Sequence, residues 1–546
     1  MKSTDDRSAG VTRRELLQIG NVLAFPVLLG GARASAEAAA GPLKPGADIY
    51  KSIGVEPIIN CRGTFTIIGG SVELPEVTAA MESATRSFVQ LDELADAVGQ
   101  RLAELTGAEW GVVTSGCAAA MKHVTAACVT GGNPERLVRI PNLTGFDKTE
   151  VVIPRYSRND YDAAIRNIGV TIITVDSPEE LASALNPRTA MIYIFAGEQS
   201  ESGPLSLEAV ARIAQPRDVP ILVDAAAEVL TIPNVHLQRG AAVVTYSGGK
   251  CIRGPQCAGF ALGRKDILLS AWQASSPHHG PGRDNKLGRE EALGMLAAVE
   301  AWVKRDHQAE WKQWLSWLDT ISRRVTKIDG VTTAVKEPTE LSNRSPSLVI
   351  GWDPARLHIT GEEVADVLAR TKRRIAVGGP DPEAQPGTTS VSVTAWMMQP
   401  GEDSIVADRI HTVLAEKRQP RPAAMTRAAG DIAGRWDVEI QFFSSKGRHT
   451  WSLEQDANWI QGAHQGQFST RDIAGLIEGD VVKLRSVEAD PGWTVPFIFA
   501  GKLAGDTISG DVYMGEYLNA TFKATRHAYS TTRAPIRIPT GRPLPT

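Results

Sequence analysis

Apolar residues fall into three regimes along this chain. From about residue 50 to 310, short and nearly continuous apolar runs alternate with segments whose apolar residues return every three or four positions. The runs cover 110–116, 150–154, 170–176, 190–195, 219–224, 241–249 and 257–263. Runs without polar alternation fit strands buried on both faces of a mostly parallel sheet, and segments such as 91–107 and 205–215 fit the helices that cover it. The pattern predicts a large α/β domain over 49–310. A long amphipathic segment, 289–325, follows, and a second strand-and-helix region over 311–418 predicts a smaller α/β domain. Trp302, Trp311, Trp314 and Trp317 read as helix-packing residues.

A charged, Pro-punctuated stretch at 419–430 reads as a linker. After it the period changes from 3.6 to 2. Eight short segments, beginning at residues 434, 448, 459, 473, 481, 496, 508 and 519, are separated by Gly, Asp and Ser turns. They predict a small antiparallel β-barrel or sandwich over 431–527, followed by a Pro-rich tail at 528–546. Gly434 and Trp436 in the first of them resemble the opening strand of lipocalin-like barrels.

With 546 residues, 42% of them apolar and 22% charged, the chain is neither a disulfide-stapled miniature nor a disordered or low-complexity protein. Its 58 basic against 62 acidic residues give no electrostatic case for binding nucleic acid. The first 36 residues combine Arg13 and Arg14, an uncharged stretch from Leu16 to Ala32 and the small-residue triplet Ala34-Ser35-Ala36. This is the layout of a cleaved export signal, and the paired arginines resemble the twin-arginine type. The stretch holds Gln18, Asn21 and Pro26 and is a poor membrane span. The expected location is therefore periplasmic or secreted. Its removal leaves 53 basic and 59 acidic groups, a net charge of −6. The five cysteines, Cys61, Cys117, Cys128, Cys251 and Cys257, form neither a disulfide framework nor a zinc spacing, and read as free thiols; a Cys251–Cys257 pair is the alternative in an oxidising compartment. His278 and His279 read as an exposed loop pair, and no metal site is expected.

Three pieces of the α/β region carry chemistry. Thr114 to Val124 runs from a strand end through Ser115-Gly116-Cys117 into an alanine-rich helix, whose first N–H groups and dipole suit a phosphate. Alone, Ser-Gly before a helix is also an ordinary cap. Asp224 ends the apolar run ILVD, at the edge where such sheets bind ligands. Lys250 follows Ser247-Gly248-Gly249 in a glycine-lined turn between two apolar runs. A phosphate cradle, a strand-end aspartate and a strand-end lysine are the parts that pyridoxal 5′-phosphate (PLP) requires: a lysine to bind its aldehyde, an acid to keep its ring nitrogen protonated, and donors for its phosphate.

With these pieces the sequence resembles the selenocysteine synthase (SelA)-like branch of fold-type-I PLP enzymes, which includes D-glucosaminate-6-phosphate ammonia-lyase-like proteins. The resemblance covers roughly residues 49–418 and is carried by INCRGT (Ile59 to Thr64), TSGCAAA, ILVDAAAE, YSGGKCIRGPQCAGF, GRDNKLGREEALGMLAA and QPGEDSIVADRI. It implies that Lys250 is the catalytic Schiff-base lysine and Asp224 the ring-nitrogen partner, with Ser115, Gly116, Cys117 and Ser247 around the phosphate. It further implies substrate contacts from Arg62, Arg283 and Lys286, and a homodimer or higher homo-oligomer with sites between protomers.

The expected activity is a PLP-dependent lyase acting by β-elimination and deamination on a free amino acid or amino-sugar acid. A seryl-tRNA selenium transferase is disfavoured by the acidic charge and the export signal. An aminotransferase, racemase or desulfurase would use the same three residues, and an exported binding protein working through the β-domain is the non-enzyme alternative.

Overall fold

A computed structural model of the chain describes residues 42–381, 384–420, 422, 424–486 and 492–529. The export signal expected over 1–36, and the tail beyond residue 529, lie outside the described residues. The chain divides near residues 421–422 into two compact units, each described here by itself.

The first unit holds a large seven-stranded sheet, a smaller three-stranded one and a two-stranded one. Strand β1 (Ile58–Cys61) belongs to the two-stranded sheet; β2 (Trp110–Thr114), β3 (Glu150–Pro154), β4 (Thr171–Val175), β5 (Thr189–Phe195), β6 (Ile221–Asp224), β7 (Val243–Ser247) and β8 (Gly259–Gly263) form the larger. The larger sheet runs β2-β8-β7-β6-β5-β3-β4. Neighbours from β7 to β4 pair in parallel, and β8 is antiparallel to both β2 and β7. Buried clusters lie on both of its faces, which is why these strands lack polar alternation.

Helix α1 (Leu91–Thr106) is capped by the Gln90 side chain on Glu93 N and stopped by Gly107 in the left-handed region. It is followed by α2 (Gly116–Thr130), α3 (Lys265–Ala274), α4 (Arg289–Lys304) and α5 (His307–Val325). The amphipathic segment 289–325 is thus two helices. Asp306 breaks it, its side chain accepting from the N–H groups of Gln308 and Ala309 to start a new helix, since an N-cap aspartate satisfies first-turn donors that have no carbonyl of their own helix to bond. Trp302 is buried, its indole donating to Leu230 O, whereas Trp311 reaches out to Glu337.

The smaller sheet places β9 (Thr332–Lys336) and β12 (Thr389–Thr394) on either side of β10 (Ser347–Trp352), all antiparallel. Beside it, β1 pairs in parallel with β11 (Arg374–Val377). Helix α5 packs there with α6 (Gly361–Arg370) and α7 (Glu402–Ala415) around Leu318, Ile350, Val391 and Ile410. Strand β1 therefore carries the INCRGT segment out of its pairing with β11.

The second unit is a closed barrel of eight antiparallel strands, β13 (Gly434–Gln441) through β20 (Tyr517–Arg526), each paired with the next and β20 with β13. Closure removes the exposed edges of an open sandwich. Trp436, Trp451, Phe499 and Phe522 fill the interior. A polar chain crosses it: His449 Nδ1 lies 2.7 Å from His464 Nε2, and His464 Nδ1 2.9 Å from Ser486 Oγ. Burial pushes His449 down to about 4 and His464 down to about 3. Both rings are neutral in the folded barrel but gain protons in the unfolded chain below its ordinary value near 6.5. Stability is therefore complete above about pH 6.5 and is lost as pH falls toward 4, by at most about 1.4 kcal/mol per pH unit for each ring. Calorimetry of the full chain between pH 7 and 5 should show a barrel transition that moves down with acid, and much less so in a His449→Gln/His464→Gln variant.

Candidate active site

The sheet brings the sequence-marked residues to one edge by register. Asp224, the last residue of β6, is opposite Thr245 of β7. Ser247, two residues further on, is opposite Gly259 of β8, which is opposite Thr114 of β2. Ser115 then caps α2. A side chain at Gly259 would collide with Gly116 C and Cys117 N at 2.7 Å, so glycine there lets the first turn of α2 sit directly on the sheet. Gly116 has a φ of 84°, which glycine adopts without strain. The Ser115 hydroxyl makes no capping bond, leaving it and the first helix N–H groups to a ligand.

Asp224 is 2% exposed. Its Oδ1 accepts from Ala226 N at 3.0 Å and from the Cys117 thiol at 3.3 Å; its Oδ2 accepts from the Tyr193 hydroxyl at 3.0 Å. Asn159 in turn donates to the Tyr193 oxygen at 3.2 Å. Burial raises the Asp224 carboxyl above the usual range, opposed by these three donors and the charge of Lys250. The Cys117 thiol is pushed well up by burial and by the neighbouring carboxylate, so it stays a thiol donor. Tyr193, Asn159 and Thr245 were not marked by the sequence; the one signal was a hydroxyl-bearing residue inside an apolar strand.

Lys250 stands half-buried in the turn between β7 and β8, and its Nζ has no hydrogen-bond or ion-pair partner among the described residues. The turn around it is tightly tied. Gly248 N donates to Ala258 O and Gly254 N to Gly248 O. The Arg305 guanidinium, at the break between α4 and α5, donates to Cys251 O at 3.2 Å and Ile252 O at 3.0 Å. The Cys251 thiol donates to Glu228 O, and Glu228 is itself paired with His236 at 2.6 Å in the interior. Side chains at Gly248 or Gly249 would meet backbone atoms within 3 Å, which explains the glycines before the lysine.

Arg62 follows directly on the end of β1, its guanidinium over the Phe65 ring at 4.3 Å. Arg283 and Lys286 are exposed on the loop between α3 and α4, where Arg283 reaches only Ser276 at 3.4 Å. No bond among the described residues ties either to the Lys250 turn. In the same loop Asp284 pairs with Lys122, and His278 packs on Trp272 and pairs with Asp92 while His279 is exposed. All five cysteines are free.

A seven-stranded sheet of this order, with an acid at the end of one strand, a lysine in the turn after its neighbour and a helix N-terminus beside both, defines a PLP-dependent enzyme of fold type I. Residues 92–272 match the family model described as Cys/Met metabolism PLP-dependent enzyme. The chain is 32% identical over 300 residues to D-glucosaminate-6-phosphate ammonia lyase of Salmonella typhimurium, covering 53% of this chain and 78% of that protein. It is 30% identical over 299 residues to 5′-C-glycyluridine monooxygenase-decarboxylase of a Streptomyces species, covering 52% and 72%. It is 28% identical over 242 residues to L-seryl-tRNA(Sec) selenium transferase of Hyphomonas neptunium, covering 39% and 50%. The solved structure of D-glucosaminate-6-phosphate ammonia-lyase superposes with a TM-score of 0.60 at 27% identity, covering 68% of this chain and 98% of that one. The chain belongs to this family of PLP-dependent enzymes, the one shared by the ammonia lyase and the selenocysteine synthases.

Proposed function

We propose that this protein is a PLP-dependent lyase that removes a β-substituent and ammonia from a free amino acid or amino-sugar acid. The observation that carries the reading is the convergence of Asp224, the first turn of α2 and the Lys250 turn on one sheet edge, with Asp224 already ordered by three donors. The residues fit the cofactor: the uncapped Ser115 and the N–H groups of Gly116 and Cys117 suit its phosphate together with Ser247, and the buried Asp224 suits its ring nitrogen.

Bound here, PLP supplies an electron sink for the pair left at Cα when a bond to it breaks. Lys250 would anchor the cofactor, and its Nζ, when free, would take the Cα proton of the substrate. Asp224 would hold the proton on the ring nitrogen, with Tyr193 and Cys117 keeping its carboxylate aimed. Loss of the β-substituent with its proton, and addition of water, yields a keto acid and ammonia.

The ammonia lyase relative favours elimination; its phosphorylated substrate fits an exported enzyme poorly. Export is our inference from Arg13 and Arg14, and intact export after Arg13→Lys/Arg14→Lys would count against the twin-arginine route. A homo-oligomer is supported by an open apolar groove lined by Ala80, Ala84, Val89, Leu293 and Leu296, with Phe88 95% exposed in the adjoining segment. The function is tested by screening PLP-loaded protein against D- and L-amino acids and amino-sugar acids. Ammonia and keto acid in equal amounts are expected; an amino product without ammonia release would point to transamination or racemisation instead.

A further inference from the structure

The turn that follows Lys250 is strained, and two independent contacts hold it. Arg253 has a φ of 60°, a left-handed conformation that is costly for any residue carrying a side chain. Such a conformation persists only where its surroundings over-determine it, and it collects at functional sites. Arg253 N donates to Lys250 O at 3.0 Å, which closes the turn directly on the lysine. Among the described residues, no backbone N–H reaches the next two carbonyls, Cys251 O and Ile252 O. Both accept from Arg305 instead, the first from Nη1 at 3.2 Å and the second from Nη2 at 3.0 Å.

Arg305 is itself fixed in place. Its side chain is 12% exposed and lies over the Trp302 ring, 5.1 Å from the centroid. Its Nε is buried without a hydrogen bond, 3.8 Å from a Glu310 carboxylate oxygen. A planar fork set between an aromatic face and a carboxylate presents its two outer nitrogens in one orientation, which a flexible ammonium would not. The residue stands at the break between α4, which packs in the core of the larger sheet, and α5, which packs in that of the smaller. The second hold is the Cys251 thiol, which donates to Glu228 O at 3.1 Å. Glu228 lies four residues beyond Asp224, bridges to Ser342 in the connection between β9 and β10, and is fixed by its buried pair with His236. Cys251 is thus gripped by thiol and carbonyl at once, one peptide bond from the lysine.

We propose that Arg305 is a positioning residue for Lys250. Its fork, together with the Cys251 thiol, fixes the strained turn so that the lysine amine meets cofactor and substrate in one orientation. The inference deepens the lyase reading and rests on it only for the cofactor on Lys250. The amine makes no hydrogen bond or ion pair of its own among the described residues, so its place is set by the backbone that carries it. A lysine at position 305 would offer a point charge to one carbonyl and could not reproduce two parallel bonds.

Hydrogen exchange followed by peptide mass tests the brace without cofactor. In Arg305→Met the peptide spanning 248–256 should exchange about tenfold faster than in wild type, the scale of charge-assisted bonds partly lost, with Arg305→Lys in between. Trp352→Phe, which removes the buried bond from Trp352 Nε1 to Ile359 O in the smaller layer, is the control for a general loss of stability and should leave that peptide unchanged. At saturating PLP, visible circular dichroism per bound cofactor reports how firmly the ring is oriented. It should fall by about half or more in Arg305→Met and Cys251→Ala, and return in Cys251→Ser, whose hydroxyl can donate to Glu228 O. Unchanged exchange in Arg305→Met, full dichroism in Arg305→Met at saturation, or the same changes in Trp352→Phe would overturn the proposal. If Arg305→Met does not fold, the same readings are taken on Arg305→Lys and Cys251→Ala, and wild-type values there overturn it equally. Faster exchange in a chain whose Lys250 takes no PLP would leave the brace standing and remove the lyase reading.

Discussion

Lys250→Ala is expected to lower kcat by a factor on the order of 10⁴ or more, because the attachment point and the base for the Cα proton disappear together. The fold should be nearly untouched. The Lys250 amine makes no hydrogen bond or ion pair among the described residues, and its turn is held by backbone contacts and by Arg305. The thermal midpoint without cofactor should therefore move by no more than a few degrees, the equivalent of about 1 kcal/mol. A large loss of stability would mean that Lys250 has a structural role that its surroundings do not show.

Asp224→Asn should have the second largest effect, and it differs between the two states of the protein. The amide keeps the volume and accepts from Tyr193 but loses the charge that holds a proton on the ring nitrogen, so kcat should fall by about 10² to 10⁴. Without cofactor, burial raises the carboxyl above its unfolded value. Its protonated form is favoured on folding, and the associated stability is present at low pH and lost as pH rises through the folded value. Removing the charge at pH 7 relieves that cost, but the amide NH2 then faces a donor the carboxylate accepted from, so the cofactor-free protein should be about as stable as wild type. The rise in midpoint produced by PLP should shrink, since the paired state loses its partner. Thermal shifts with and without PLP at pH 5.5 and 7.5 separate the two terms.

How legible the molecule was in its sequence differs from one region to the next. The large sheet was readable because strands buried on both faces leave unbroken apolar runs: the run at 150–154 is β3 residue for residue, and that at 190–195 is β5 less its first residue. The barrel was readable for the opposite reason, since β13 and β14 alternate strictly between core and solvent; closure itself left no local mark, because it depends on β20 meeting β13. The break at Asp306 was hidden because apolar spacing continues across it, and only the cap geometry shows which donors the aspartate takes. Asp224, Ser115 and Lys250 were legible from strand-end position and glycine context. Tyr193 and Arg305 were not: each sits in an apolar or amphipathic stretch where packing explains it fully, and its role follows from contacts with residues far away in the sequence.

The central claim is that Lys250 carries the cofactor, and reductive trapping tests it most directly. Full-length protein loaded with PLP is treated with borohydride, digested and mapped by mass. One pyridoxyl group per chain is expected, on Lys250, with the visible absorbance lost on reduction and absent from Lys250→Ala. Label on a different lysine, or no stable label in folded protein saturated with PLP, would contradict it.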